Sequence, residues 1–243
     1  MDKQSFNSEL TKVFKANGMG GLLNMDKCDK FYQLTVRMLE ENEKYNLTAI
    51  TEVDKIILNH YADCATIARL LPKGAKIADI GCGAGFPTLP LAIVREDVEI
   101  VAIDSTAKRV AYVEESAALL GLSNVKAVTM RAEDGGQNPL YREKFDYVSA
   151  RAVANMRVLC ELCLPYVKVG GQFIAMKGKN AQFELNEAKK AISLLGGRDV
   201  EYEDITLKND KETLTHPLIV IKKKEKTPAT YPRPFAQISK KPL

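Results

Sequence analysis

From Lys76 onward, short apolar runs alternate with amphipathic segments, and this alternation constrains the fold more than any other feature of the chain. KIADIG (76–81), VEIVAID (98–104), VKAVTM (125–130), FDYVSA (145–150) and GQFIAMK (171–177) read as strands. FPTLPLAIV (86–94) opens a helix after the first strand, and helical segments follow the second, fourth and fifth strands. In STAKRVAYVEESAALLG (105–121), Val110, Val113, Ala117 and Leu120 share one face, Ser105 or Thr106 caps the start and Gly121 stops the helix. Strands that alternate with helices demand a parallel sheet covered on both faces. Two consecutive strands, RDVEYEDITL (198–207) and HPLIVIKKK (216–224), close the pattern without a helix between them. They predict one antiparallel strand at an edge. The expected class is α/β, Rossmann-like, with a mostly parallel seven-stranded sheet.

Residues 1–72 differ in period. Phe31, Leu34, Met38 and Tyr45 keep helical spacing, as do Ile57, Tyr61, Cys64, Ala68 and Leu71, and ANGMGG (16–21) separates the first helix from the second. The organisation is therefore an N-terminal helical extension (1–72), an α/β core (73–224) and a C-terminal tail (225–243).

Residues 222–243 hold seven Lys and Arg against one Glu, and four of the ten prolines, whereas the whole chain has a net charge of only +4. Such a segment reads as an extended arm. It is either a solubilising terminus or a phosphate-binding arm, with Tyr231 and Phe235 available to stack on bases. No apolar run approaches the roughly 18–20 residues that span a bilayer, and MDKQSFNSEL at the start lacks the apolar core of a signal peptide. A cytoplasmic protein without a membrane partner is expected. Five scattered cysteines argue against a disulfide framework. Cys160 and Cys163 are spaced to share one apolar helix face, which favours burial over a metal site, and no metal is expected.

ADIGCGAGFP (78–87) carries the ligand signal. It follows the first core strand, where open parallel sheets bind ligands. Gly81, Gly83 and Gly85 permit positive φ and close approach of a ligand to the backbone. The dinucleotide fingerprint needs a third glycine where this chain has the bulky Phe86. The G-x-G-x-G spacing suits S-adenosylmethionine, which has no pyrophosphate. Asp104 ends the second strand, 19 residues after Gly85, where a carboxylate can accept both ribose hydroxyls. RAED (131–134) offers the Ala132 backbone and the Glu133 side chain to an adenine.

YNLTAI (45–50), HYADC (60–64), DIGCGAGFPTLPLAI (79–93), DSTAKR (104–109), SARAVAN (149–155) and AMKGK (175–179) together resemble the bacterial 16S rRNA guanine-N7 methyltransferase G family, also called glucose-inhibited division protein B. The resemblance runs from about Asn42 to Ile221. It implies a class I S-adenosylmethionine-dependent methyltransferase acting on N7 of a guanine in 16S rRNA of the small ribosomal subunit, probing the RNA as a monomer. It implies cofactor contacts from Gly81, Phe86, Ala132, Glu133 and Arg151, with Asp104 on the ribose. Arg151 would orient the methionine end and the guanine. Asn46, Thr48, His60 and Asp63 look like part of the pocket rim, although His60 beside Asp63 also suits a hydrogen-bonded core histidine. Lys177 would meet RNA phosphate or be a solvated strand end. A small-molecule methyltransferase and a non-catalytic ribosome assembly factor are the rival readings. The chain departs from the family's pattern at Cys64, where a serine is usual, and at His216, where an arginine is usual, which weakens the case for a charged contact there. The tail also lacks the usual glycine–threonine–proline turn.

Overall fold

The computed structural model describes residues 2–243. Helix α1 (Lys3–Ala16) is capped by Asp2, whose side chain accepts from Ser5 N–H, and α2 (Met25–Tyr45) is capped by Asn24 in the same way from Lys27 N–H. The chain leaves α2 through Asn46, which adopts the left-handed conformation (φ 49°). A third helical run combines α3 (Val53–Ile56), a π-helical turn (Ile57–Ala62), α4 (Asp63–Ala65) and a 3-10 turn (Thr66–Leu70).

The core follows as β1 (Lys76–Ile80), α5 (Thr88–Val94), β2 (Glu99–Asp104), α6 (Ala107–Leu119), β3 (Val125–Thr129), α7 (Ala132–Gln137), β4 (Phe145–Arg151), α8 (Met156–Cys163), β5 (Val167–Met176), α9 (Ala181–Leu194), β6 (Gly197–Lys208) and β7 (Thr213–Lys223). The seven strands lie in the order β3-β2-β1-β4-β5-β7-β6. β7 runs antiparallel to both neighbours and sits one place in from the edge, between β5 and β6. Strand order reverses between β1 and β4, and ligands bind at such a point.

Alternate strand residues feed two separate cores. Ile77, Ile100, Ala102, Ile174 and Val220 face α5 and the N-terminal helices, whereas Ala78, Ile80, Ile103, Val148 and Ile219 face α8 and α9. Phe14, Phe31, Leu34 and Tyr61 belong to the first core, so the helical extension is continuous with the α/β core through buried apolar side chains. Cys160 and Cys163 are fully buried on α8, as their spacing predicts.

Two local expectations change. Thr106 occupies the N-cap position of α6 but makes no side-chain capping bond; Asp104 Oδ1 accepts from Thr106 N–H instead, at 2.8 Å. The tail is no extended arm. It folds back and ends in α10 (Phe235–Lys240), with Ile238 fully buried against α8 and α9. Part of the positive charge of residues 222–243 is paired within the fold. Lys222 pairs with Glu201, Lys224 with Asp199, and Arg233 with the fully buried Glu161. Lys223 is buried, bonded to Leu164 O and Thr227 Oγ1, with Glu143 at 3.6 Å. Counting charges along the sequence does not reveal acidic partners that lie far away in sequence but adjacent in the fold.

Candidate functional site

At the carboxyl end of β1 the chain turns through Gly81 (φ 74°), Gly83 (φ 53°) and Gly85 (φ 83°), a conformation that side chains with a Cβ resist. Gly81 and Cys82 N–H both donate to Ile103 O, at 2.8 and 3.1 Å, which pins the loop to the end of β2. Gly83 N–H donates to Asp104 Oδ2 at 3.1 Å. With Thr106 N–H on the other oxygen, each carboxylate oxygen of Asp104 receives one bond and keeps a lone pair free. Arg109 Nη1 stands 3.8 Å from the same carboxylate.

A cavity of about 280 Å³ opens beside this loop. Asp104 and Gly81 line it, together with Ala132 and Glu133 at the start of α7 and Ala152 and Val153 after β4. Ile80, Ile103, Met130 and Leu162 supply apolar wall. A buried carboxylate with spare acceptor capacity, a bare backbone next to it and apolar side chains around them offer the acceptor and the surface that an adenosine requires. These residues fit S-adenosylmethionine. When bound, that cofactor supplies an electrophilic methyl group on a sulfonium. A larger groove, about 1110 Å³, runs along α1 and α2, but it is open and holds none of these residues.

The glycines have different tasks. A Cβ on Gly85 would lie 2.6 Å from Leu89 Cδ1, so this glycine admits the first turn of α5. A Cβ on Gly81 would meet Val153 Cγ2 at 2.7 Å, so the segment after β4 lies directly on the loop. Only the Gly83 position is open, with its nearest atom 3.8 Å away.

A buried polar cluster adjoins the cavity. Asp79 on β1, fully enclosed, accepts from Thr88 Oγ1 (2.6 Å) and Ser149 Oγ (3.1 Å). Burial pushes its pKa up to about 6, and those two hydrogen bonds oppose the shift. Arg151, at the end of β4, points into the helical extension. Its guanidinium donates to Cys64 Sγ (3.0 Å), Asn59 O (3.2 Å) and His60 Nδ1 (2.8 Å), and it pairs with Asp63 Oδ2 at 3.2 Å. A guanidinium has donors only, so His60 Nδ1 must be unprotonated and Nε2–H then donates to Thr48 Oγ1, 3.0 Å away. Burial, reinforced by the Arg151 charge, depresses the His60 pKa to about 4. The imidazole stacks on Phe86, with centroids 4.4 Å apart and planes 25° apart, and the Arg151 guanidinium carbon stands 5.6 Å from the same ring. His216 Nε2 closes on Asp63 Oδ1 from β7.

The expected residues thus fall into two groups. Gly81, Asp104, Ala132 and Glu133 line the cavity, and Gly83 holds its carboxylate. Thr48, His60, Asp63, Phe86 and Arg151 form the adjoining cluster, with Asn46 at the turn that leads into it. Lys177 is corrected. Its side chain is 9% exposed and its ammonium bonds to Glu184 and to Ala154 O, both at 2.7 Å, so it is neither a solvated strand end nor free to meet phosphate. His216, which stands where the family usually has an arginine, supplies a polar contact to Asp63. Arg109, Arg131, Val153 and Phe235 line the cavity without having been singled out for it. Arg109 had a signal in DSTAKR, one turn beyond Asp104; Phe235, 131 residues beyond Asp104, had none.

Comparison with known proteins agrees with this geometry. A family model described as GidB, rRNA small subunit methyltransferase G, matches residues 27–214. Ribosomal RNA small subunit methyltransferase G of Clostridium perfringens (strain 13) is 45% identical over 229 residues, covering 93% of this chain and 95% of the relative. The protein of that name from Lactobacillus acidophilus is 46% identical over 210 residues, covering 85% and 87%. Among solved structures, a SAM-dependent O-methyltransferase from Thermotoga maritima aligns with a TM-score of 0.54 at 17% identity, covering 79% of this chain and 72% of that one. A precorrin-6Y C5,15-methyltransferase from Geobacter metallireducens aligns at 0.50 and 17%, covering 74% and 92%. These two carry the fold alone. The sequence relatives carry more: the chain belongs to the rRNA small subunit methyltransferase G family.

Proposed function

We propose that this protein transfers the methyl group of S-adenosylmethionine to N7 of a guanine in 16S rRNA, acting in the cytoplasm as a monomer on RNA of the small ribosomal subunit. The observation that carries this reading is that the family match spans residues 27–214 and so contains the whole glycine loop and Asp104.

In this reading Asp104 accepts the ribose hydroxyls, Ala132 and Glu133 meet the adenine, and the Gly81 backbone lies along the ligand. Ala152 and Val153, which also line the cavity, would border the space left for the methyl group and the guanine. Arg151 is a positioning residue. Its bonds to Asn59, His60 and Asp63 lock the end of β4 to the helical extension, and the segment that covers Gly81 begins at the next residue. Arg109 and the exposed Arg131 take the phosphate contacts that Lys177 cannot make. Guanine N7 carries a lone pair and no hydrogen. It attacks the methyl carbon, the carbon–sulfur pair leaves with sulfur, and the purine gains the positive charge. No proton moves, so no residue has to hold one. A neutral His60 and an always-charged Arg151 suit such a step. The target base must be unstacked or looped out to enter.

The test is incubation of the purified protein with labelled cofactor and small subunits that lack the modification, followed by mapping of the label. Label on guanine N7 of 16S rRNA is the expected result. Label on an exocyclic nitrogen, on a ribose oxygen or in small molecules only would overturn the assignment.

A further inference from the structure

Phe235 stands in the wall of the cofactor cavity, beside Ala132, Glu133 and Leu162, although it belongs to a tail that the sequence marks as a basic arm. We propose that the ring of Phe235 packs against the adenine of S-adenosylmethionine, so that the C-terminal tail completes the cofactor site. The inference rests on the reading of this cavity as the cofactor site.

The tail is built to deliver that ring. Arg142 joins three tail carbonyls to α7: Nη1 donates to Gly136 O of α7 and to Tyr231 O (2.8 and 2.7 Å), and Nη2 to Thr227 O and Pro228 O (2.8 and 3.2 Å). Gln137 Nε2 donates to Pro232 O at 2.9 Å. Pro232 itself fills the space where a Cβ on Gly136 would lie, 2.7 Å away. Gly136 belongs to α7, the helix whose first residues, Ala132 and Glu133, line the cavity. Arg233 then clamps Glu161 of α8 with three bonds of 2.7–2.9 Å, one from its backbone N–H and two from its guanidinium. Three residues after Pro232 and two after Arg233, Phe235 reaches the cavity that Ala132 and Glu133 of α7 and Leu162 of α8 also line.

Its exposure is the second observation. Ile238, one turn later in α10, is fully buried, whereas Phe235 is 42% exposed. A tail held this firmly leaves the ring a face with no protein partner, and that face borders the cavity. With the ribose held by Asp104 at the end of β2, the base would lie against the residues that follow β3 on the neighbouring strand, Met130 to Glu133, which line the same cavity as Phe235. A flat aromatic beside a purine is a stacking platform that needs no hydrogen bond.

The test is titration calorimetry of the full-length chain with S-adenosylmethionine and with 5′-methylthioadenosine, which keeps the adenosine and lacks the amino-acid end. Phe235→Ala should weaken both ligands by the same factor, roughly ten- to a hundredfold. Phe235→Tyr should bind like the parent and Phe235→Leu in between, and Phe183→Ala, an exposed phenylalanine on α9, should change nothing. Melting curves check that each variant is folded; if Phe235→Ala is not, the comparison of Leu with Tyr decides. Parent-like affinity in a folded Phe235→Ala or Phe235→Leu variant would overturn the inference, as would a loss confined to S-adenosylmethionine. Failure of the parent protein to bind either ligand would instead remove the cofactor reading itself.

Discussion

Asp104 organises the glycine loop before it holds any ligand. Its two oxygens accept the N–H groups of Gly83 and Thr106, and only their remaining lone pairs face the cavity. Asp104→Ala should weaken S-adenosylmethionine binding by about 1.5–3 kcal/mol, the range for a charged acceptor removed from its partners. Calorimetry on the folded variant reads this directly, and unchanged affinity would place the ribose elsewhere. His60 controls a different variable. Its pKa of about 4 in the folded protein lies below the ordinary 6.5, so the ring is neutral at working pH. The single-turnover methylation rate at saturating RNA should therefore be nearly flat from about pH 6 to pH 9, and a tenfold rise per pH unit would require a titrating base. The same depression has a stability consequence. Between pH 6.5 and about 4 the unfolded chain takes up a proton that the folded ring refuses, so stability falls as pH drops through that window. The urea midpoint of the parent should fall more steeply there than that of His60→Gln.

At the scale of elements, two short pieces carry most of the site. The π-helical turn Ile57–Ala62 contains Asn59 and His60 and runs straight into Asp63 and Cys64, so four partners of Arg151 come from six consecutive residues. Wide turns of this kind recur at functional sites because they redirect side chains within a continuous helix. Helix α7 is the other piece. Its two glycines are packing surfaces: Gly135 receives the Tyr166 hydroxyl and Gly136 receives Pro232. Gly136→Ala should overpack the junction between α7 and the tail, at a cost of about 1–3 kcal/mol. Urea denaturation measures the loss. Limited proteolysis should show earlier cleavage after Lys226, which is exposed at the start of the tail. A variant as stable and as resistant as the parent would mean that Pro232 yields freely.

For the whole molecule, the sheet separates two cores, and each core brings a remote segment to the same cavity. The helical extension stands beside it on one face, where His60 and Asp63 meet Phe86 and Arg151 of the core, and the tail reaches it through Phe235 on the other. The tail is anchored by an ion pair whose acidic member, Glu161, is fully buried and whose basic member, Arg233, is 21% exposed. Removing Arg233 leaves that carboxylate enclosed without its cation, and such losses run to about 3–5 kcal/mol. Arg233→Ala should therefore destabilise the protein toward the lower end of that range in urea and weaken cofactor binding as well. If cofactor affinity holds while stability falls, the tail is an anchor only.

Much of the architecture was legible in the primary structure because it rests on local signals. Period-two and period-3.6 hydrophobic patterns placed all seven strands and most of the helices between them, but not the short α7, since a residue's face depends on its neighbours three or four positions away. The glycine loop and Asp104 were legible for the same reason: positive φ and a strand-end carboxylate are properties of a few adjacent residues. The tertiary structure alone decided where long side chains spend their charge. Lys177 finds Glu184 and the main chain, Arg233 finds Glu161 across 72 residues, and His216 finds Asp63 across 153. An ion pair forms wherever folding brings opposite charges together, and no spacing rule in the chain encodes that meeting. The basic run at 222–243 shows the consequence, because a segment that composition marks as an arm pairs several of its cations and contributes to the wall of the cofactor cavity.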